Sequence, residues 1–142
     1  MGAVFADTCY WIALLNPKDQ THDIAVHVSK GLTADRIVTT EEVLTELLNY
    51  FGGRGPYFRS AAAELVDRMQ ADPAIHILPQ THENFLAALR LYEARPDKGY
   101  SLTDCLSMLA MREDGLSDAL TNDDHFSQEG FTCLLQPSHE SR

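Results

Sequence analysis

A single α/β domain with a parallel central sheet is what this chain predicts, from three observations. Short apolar runs recur at 3–7 (AVFAD), 36–40 (RIVTT), 74–78 (AIHIL), 117–121 (SDALT) and 131–135 (FTCLL), and each reads as a strand. The first four are separated by stretches with helical spacing, the crossovers that parallel strands need; only the short NDDHF turn precedes the fifth. The 142 residues suffice for one domain with a core, and 44% hydrophobic against 23% charged is an ordinary globular composition. The predicted fold is a three-layer α/β/α sandwich around about five parallel strands, spanning residues 1–142.

The first strand ends in Asp7, and TCYWIALLN follows as a helix with Trp11, Leu14 and Leu15 on one face until Asn16-Pro17 stops it. Asp7 reads equally as a helix N-cap or as a ligand, and a helix N-terminus favours an anion in either role. Residues 21–32 form a second helix on Ile24, Val28 and Leu32, with His22 and His27 expected on its solvated face. After the second strand, EEVLTELLNYF is a helix whose stripe is Val43, Leu47, Tyr50 and Phe51, widened by Leu44 and Leu48. Thr39 and Glu42 match a capping box. Glu46 borders the stripe, where an acid serves as a salt-bridge partner or as a ligand.

GGRGP, at 52–56, is the clearest break, and a helix follows with Phe58, Ala62, Leu65 and Met69 aligned. Arg54, Arg59 and Arg68 make this region basic, either as a solvated helix face or as a rim that touches phosphates. His76 in the third strand reads as structural. The next helix aligns Phe85, Leu89 and Tyr92, with Ala88 beside them, and ARPDKGY supplies Arg95 and Lys98. The helix opening at Ser101 is apolar almost all round, so it is expected to be buried. Ser101 and Asp104 match a capping box, which by itself explains both residues. The fourth strand delivers Asp123 beyond Thr121, NDDHF turns away, and the tail 136–142 is polar.

Composition narrows the function classes. No apolar run approaches the roughly 20 residues of a membrane span, and the start lacks the layout of a signal peptide. Ala6 breaks the myristoylation pattern after Gly2. Cys9, Cys105 and Cys133 make no zinc spacing, and an odd count suggests free thiols in a reducing cytoplasm. A net charge of −10 argues against a DNA-binding surface, yet acids that hold divalent cations are themselves a source of such charge.

In a parallel sheet, ligands bind beyond the carboxyl ends of the strands, where Asp7 and Asp123 lie. Two unit charges at about 4 Å cost on the order of 4 kcal/mol at an effective dielectric near 20. Crowded carboxylates therefore take up protons or bind cations. With Glu46 and Asp104 they would form an all-oxygen set suited to Mg²⁺ or Mn²⁺, able to polarise a phosphodiester and activate water. A ribonuclease-H-like chain would open with antiparallel strands. A receiver domain would place a Lys after a late strand, and the last Lys here is Lys98. A haloacid-dehalogenase-type phosphatase would show Asp-x-Asp where this chain has Asp7-Thr8-Cys9.

Three stretches carry a further likeness: FADTCYWIALLN (5–16), TTEEVLTELLN (39–49) and SLTDCLSMLAMREDGLSDALTNDDHFSQEGF (101–131). The last is the most specific, with Ser-x-x-Asp on a helix, an A-L-T-x-D-x-H-F turn and a Gly-Phe. The chain resembles the PIN domain and, within it, the VapC-type toxin endoribonucleases. The resemblance implies metal-dependent RNA cleavage with Mg²⁺ or Mn²⁺, a homodimer, and a small antitoxin as partner. Asp7, Glu46, Asp104 and Asp123 would be the metal-binding, catalytic acids, with Thr8, Ser101 and Thr121 as supporting polar residues. Asp124 stands where the family varies, and no role is given to it. No basic residue lies between Arg112 and Arg142, so RNA would rely on Arg54, Arg59, Arg95 or Lys98. The competing expectation is a non-catalytic RNA- or protein-binding module, against which the presence of all four acids weighs.

Overall fold

The computed structural model describes residues 2–32 and 36–136. The polar tail from residue 137 onward, expected to be frayed, lies outside the described residues. The elements run β1 (Ala3–Ala6), α1 (Thr8–Leu15), α2 (His22–Gly31), β2 (Arg36–Thr40), α3 (Glu41–Gly52), α4 (Pro56–Ala71), β3 (Ile75–Leu78), α5 (His82–Ala94), α6 (Leu102–Glu113), β4 (Asp118–Leu120), α7 (Asp124–Gln128) and β5 (Thr132–Cys133).

The strands form one parallel five-stranded sheet in the order β3-β2-β1-β4-β5. Val4, Phe5 and Ala6 alternate in direction along β1, yet all are buried, so helices cover both faces of the sheet. This is the three-layer α/β/α sandwich that the alternation of strands and helices predicts. The chain leaves β1 toward β2 and later returns to β1's other side with β4. The carboxyl ends of β1 and β4 therefore flank the point where strand order reverses, the place where open parallel sheets make a crevice.

Several local expectations shift. β1 stops at Ala6 and β4 at Leu120, because Asp7 and Asp123 occupy N-cap positions of the helices that follow. The NDDHF segment is not a plain turn but opens the short helix α7, with Asp123 accepting from the His125 N–H at 2.9 Å. The cap of α3 is Thr40, which accepts from the Val43 N–H at 3.1 Å. Thr39 points the other way along the strand and donates to the Ala6 carbonyl, tying β2 to β1 at 2.9 Å. His22 is half-buried, its Nδ1 set 2.6 Å from the Ala13 carbonyl, so it joins α2 to α1 instead of facing solvent. His76 lies exposed on β3, an edge of the sheet. Helix α5 packs against α6 and buries Ala88 and Leu91, leaving Phe85 and Tyr92 exposed. Leu48 is likewise exposed.

One ion-pair cluster ties the C-terminal part of the sandwich together. The Glu129 side chain, 5% exposed, accepts from Arg95 Nε at 2.8 Å and Arg95 Nη2 at 3.2 Å. It also accepts from the Tyr100 hydroxyl at 2.9 Å and Arg112 Nη2 at 2.5 Å. The residue after α7 is thus pinned both to the loop that precedes α6 and to the last turn of α6. The Arg95 hydrogen bonds, with those of Arg112 and Tyr100, outweigh burial and hold the Glu129 carboxyl at about 2. Tyr100 is pushed up to about 12 by burial and by that carboxylate.

Removing the Glu129 charge leaves two guanidinium groups without their shared acceptor. Glu129→Gln should cost about 2 kcal/mol of unfolding free energy at pH 7, read by urea titration. The folded carboxyl binds its proton only near pH 2, against 4.5 for the free acid. The stabilisation is therefore complete above about pH 4.5 and is lost as pH falls toward 2. The gap between wild type and variant should close over that window, and a gap unchanged at pH 2.5 would show that the carboxylate contributes nothing.

Candidate metal centre

The centre is built at the reversal point of the sheet. Ala6 of β1 pairs with Leu120 of β4, and the ladder continues one step further, with the Asp7 N–H donating to the Leu120 carbonyl at 3.2 Å. That bond sets Asp7 beside Thr121, whose hydroxyl donates to Asp7 Oδ2 at 2.9 Å. Asp7 holds the N-cap position of α1, but its side chain makes no capping bond. Its carboxyl is 7% exposed, and burial pushes it up to about 7 against the hydrogen bonds from Thr8 and Thr121. The charges of Asp104 and Glu46 raise it further, which places both acids within electrostatic reach of Asp7.

Glu46 projects from α3 and accepts from the Thr8 hydroxyl at 2.5 Å. Among the described residues it forms no ion pair. Asp104 both caps its helix and faces the cleft. Its Oδ2 accepts from the Ser101 N–H at 3.0 Å, while Ser101 Oγ accepts from the Asp104 N–H at 3.0 Å, completing the capping box. The same Oδ2 faces the cleft, 3.2 Å from His125 Nδ1. Asp123 accepts from the His125 N–H and lies 3.3 Å from the His125 ring nitrogen.

A cleft of about 800 Å³ joins these groups, lined by Asp7, Glu46, Asp104 and Asp123 with Thr8, Ser101 and His125. The acids are not equivalent within it. Asp104, Asp123 and His125 each offer a ligand atom, and these atoms lie within 4.8 Å of one another. Asp7 and Glu46 line the same cleft outside that tight group. Hard oxygen donors, a nitrogen donor and a carboxyl whose hold on its proton is raised by burial together fit a divalent cation, whose charge would stabilise the ionised acids.

His125 is the residue that the sequence reading left without a role. Its signal was the Asp-x-His spacing of Asp123 and His125, which a one-turn helix folds back so that both side chains meet Asp104. Asn49 and Tyr50, one turn beyond Glu46 on α3, also line the cleft.

The basic residues expected at an RNA rim divide. Arg54 lies 3.7 Å over the Tyr50 ring and donates to the Tyr50 carbonyl at 2.6 Å, so it stands at the cleft's edge. Arg59 donates to the Gly52 carbonyl at 3.0 Å and lines a neighbouring hollow with Asn49. Lys98 is half-buried and precedes Gly99 of the cleft wall. Arg95 is taken up by the buried Glu129 carboxylate, which it shares with Arg112.

Comparison with known proteins agrees with this geometry. The model of the PIN domain family matches residues 4–131. The chain is 28% identical over 131 residues to the 23S rRNA-specific endonuclease VapC20 of two Mycobacterium tuberculosis strains, covering 90% of this chain and 95% of each relative. It is similar in fold to the crystal structure of Mycobacterium tuberculosis VapC20, described as a sarcin-ricin loop cleaving toxin. The TM-score is 0.82 at 24% identity, over 91% of this chain and 96% of that one. With a reversal-point acidic cleft on a five-stranded parallel sheet and a family match along nearly its whole length, the chain belongs to the PIN-domain family.

Proposed function

We propose that the chain is a metal-dependent endoribonuclease, acting as the toxin of a toxin–antitoxin pair. The observation that carries this reading is the cleft itself, where Asp7, Glu46, Asp104 and Asp123 face one space at the carboxyl ends of β1 and β4. Relatives named as 23S rRNA endonucleases support RNA as the substrate class. We read residues 1–142 as one catalytic domain. A small antitoxin protein and a second copy of the chain are the partners this reading entails. The described residues contain no helix long and apolar enough to cross a membrane, in keeping with action in the cytoplasm.

In this reading Asp7, Glu46, Asp104 and Asp123 hold Mg²⁺ or Mn²⁺, with Asp104 and Asp123 providing the tight pair. The bound ion would supply Lewis acidity toward a phosphate oxygen and lower the pKa of a water. The chain's own residues prepare that chemistry. Thr121 orients Asp7, Thr8 orients Glu46, and the Ser101 cap fixes the rotamer of Asp104. Because these supports already exist before substrate arrives, little reorganisation accompanies the reaction. Arg54, Arg59 and Lys98 would meet the RNA backbone around an otherwise acidic entrance.

The direct test incubates purified protein, free of antitoxin, with a sarcin–ricin stem–loop RNA and a pool of structured RNAs under Mg²⁺, Mn²⁺ or EDTA. Cleavage should require the metal, and Asp104→Asn, which keeps the cap geometry, should slow it by at least about a hundredfold. Cleavage in EDTA, or full activity of that variant, would remove the metal mechanism. Metal binding with no turnover of any RNA would favour the non-catalytic binding module.

Arg54→Ala and Lys98→Ala should each weaken RNA binding and lower the salt slope by about one unit, read by fluorescence anisotropy across a salt series. Unchanged slopes would direct attention to another surface.

Asp7 makes a second, independent test. Folded Asp7 keeps its proton to about pH 7, whereas the free acid releases it at 3.8. The folded state therefore binds more protons across that window, and without metal the protein loses stability as pH rises through it. Asp7→Asn, which still accepts from Thr121, should stabilise the EDTA-treated protein at pH 8 by about 2 kcal/mol and have little effect at pH 4. A thermal melt showing the same difference at both pH values would contradict the buried acid.

A further inference from the structure

His125 Nδ1 stands 3.2 Å from Asp104 Oδ2 and 3.3 Å from Asp123 Oδ1. Adjacent donors around a six-coordinate ion with bonds of about 2.1 Å are themselves about 3 Å apart. The imidazole nitrogen is thus already at ligand spacing from both acids. The residue is also held in place by its surroundings. The His125 N–H is bonded to Asp123 Oδ1, and the Tyr100 ring packs edge-on against the imidazole at 5.2 Å. Glu129 fixes the Tyr100 hydroxyl in turn. Gly99, at φ +71°, lies close enough that a Cβ there would sit 3.9 Å from His125 Nε2. The imidazole is thus positioned on several sides beside two half-buried acids.

We propose that His125 is a metal ligand beside Asp104 and Asp123, and that its nitrogen biases the centre toward first-row transition ions over Mg²⁺. The inference rests on reading the cleft as a metal centre and adds which ion it selects. Mg²⁺ favours oxygen donors and gives up water reluctantly, so a nitrogen donor contributes little to holding it. Affinity for transition ions at a site with nitrogen and oxygen donors rises from Mn²⁺ toward Co²⁺. His125 should therefore matter least for Mg²⁺, more for Mn²⁺ and most for Co²⁺.

The experiment measures Mg²⁺, Mn²⁺ and Co²⁺ binding to the RNA-free protein by calorimetry at pH 8, for wild type, His125→Ala, His125→Gln and Asp104→Asn. Thermal melts establish that each variant is folded, and His125→Gln decides if the alanine variant is not. Wild type should bind Co²⁺ and Mn²⁺ more tightly than Mg²⁺. Loss of the imidazole should weaken Co²⁺ binding at least about tenfold while leaving Mg²⁺ within about twofold. The visible Co²⁺ absorption band should shift in the His125 variants, a signature that a purely structural role would not change. A counter-cation role predicts the opposite sign, a gain in affinity for all three ions when His125 is removed. That gain, an equal loss for every ion, or no change would each overturn the proposal. Asp104→Asn separates the two levels of the argument. If it weakens all three ions and the His125 variants do not discriminate, this inference alone fails. If it weakens none, the reading of the cleft as a metal centre fails with it.

Discussion

Gathering four carboxylates into one cleft, with one of them buried, is the constraint around which the rest of this molecule is arranged. Asp7 is buried beside the ends of β1 and β4, and Glu46 and Asp104 act on it through their charges. A sheet gains nothing from acids gathered at its reversal point, so the surrounding structure has to hold them there. It does so with neutral donors, the hydroxyls of Thr121 and Thr8 and the backbone N–H of Ser101. Thr121 serves Asp7, Thr8 serves Glu46, and Ser101 forms a reciprocal pair with Asp104. Neutral donors satisfy lone pairs without cancelling charge, so the cleft stays electronegative and able to take up a cation. Basic side chains would have been more stabilising and would have closed the site.

A buried charge compensation lies just behind the cleft. Glu129 draws Arg95 and Arg112 inward, away from the acids that need to remain open, and uses them to fasten α7 to both ends of α6. Asp123 and His125 ride on α7, and Ser101 and Asp104 open α6, so the clamp sets the spacing between two walls of the cleft. Tyr100 belongs to both parts, bonded to Glu129 by its hydroxyl and packed against His125 by its ring. Stability and ligand placement thus share the same few residues.

Much of this was readable in the residue order. Short apolar runs between helical patterns predict the parallel sheet, and strand ends locate Asp7 and Asp123, because run length and crossover length are local properties. The capping box of Ser101 and Asp104 was equally local. What escaped depended on partners distant in the chain. The exchange of roles between Thr39 and Thr40 follows from Thr39 meeting the Ala6 carbonyl 33 residues away. Arg95 looks like a free surface cation until Glu129, 34 residues on, is brought beside it. Exposure of Phe85 and Tyr92 reflects α5 burying Ala88 and Leu91 instead, and aromatic residues at helical spacing do not reveal which face a neighbour will choose. His125 was visible in the motif but had no assigned task, since its meeting with Asp104 spans 21 residues.

The pairing of β1 with β4 also has a consequence for the order in which the protein comes into being. Thr121 and Asp7 are 114 residues apart, so the cleft closes only when one of the last strands docks beside the first. A ribosome delivers β1, β2 and β3 well before it releases β4 and α7, and long-range parallel pairing is slow to form. A shorter piece of the chain that carries Asp7 and Glu46 lacks the wall that bears Asp123 and His125. The acidic centre is therefore a property of the docked sheet and not of any local segment, and it comes into being only when β4 and α7 take their places beside β1.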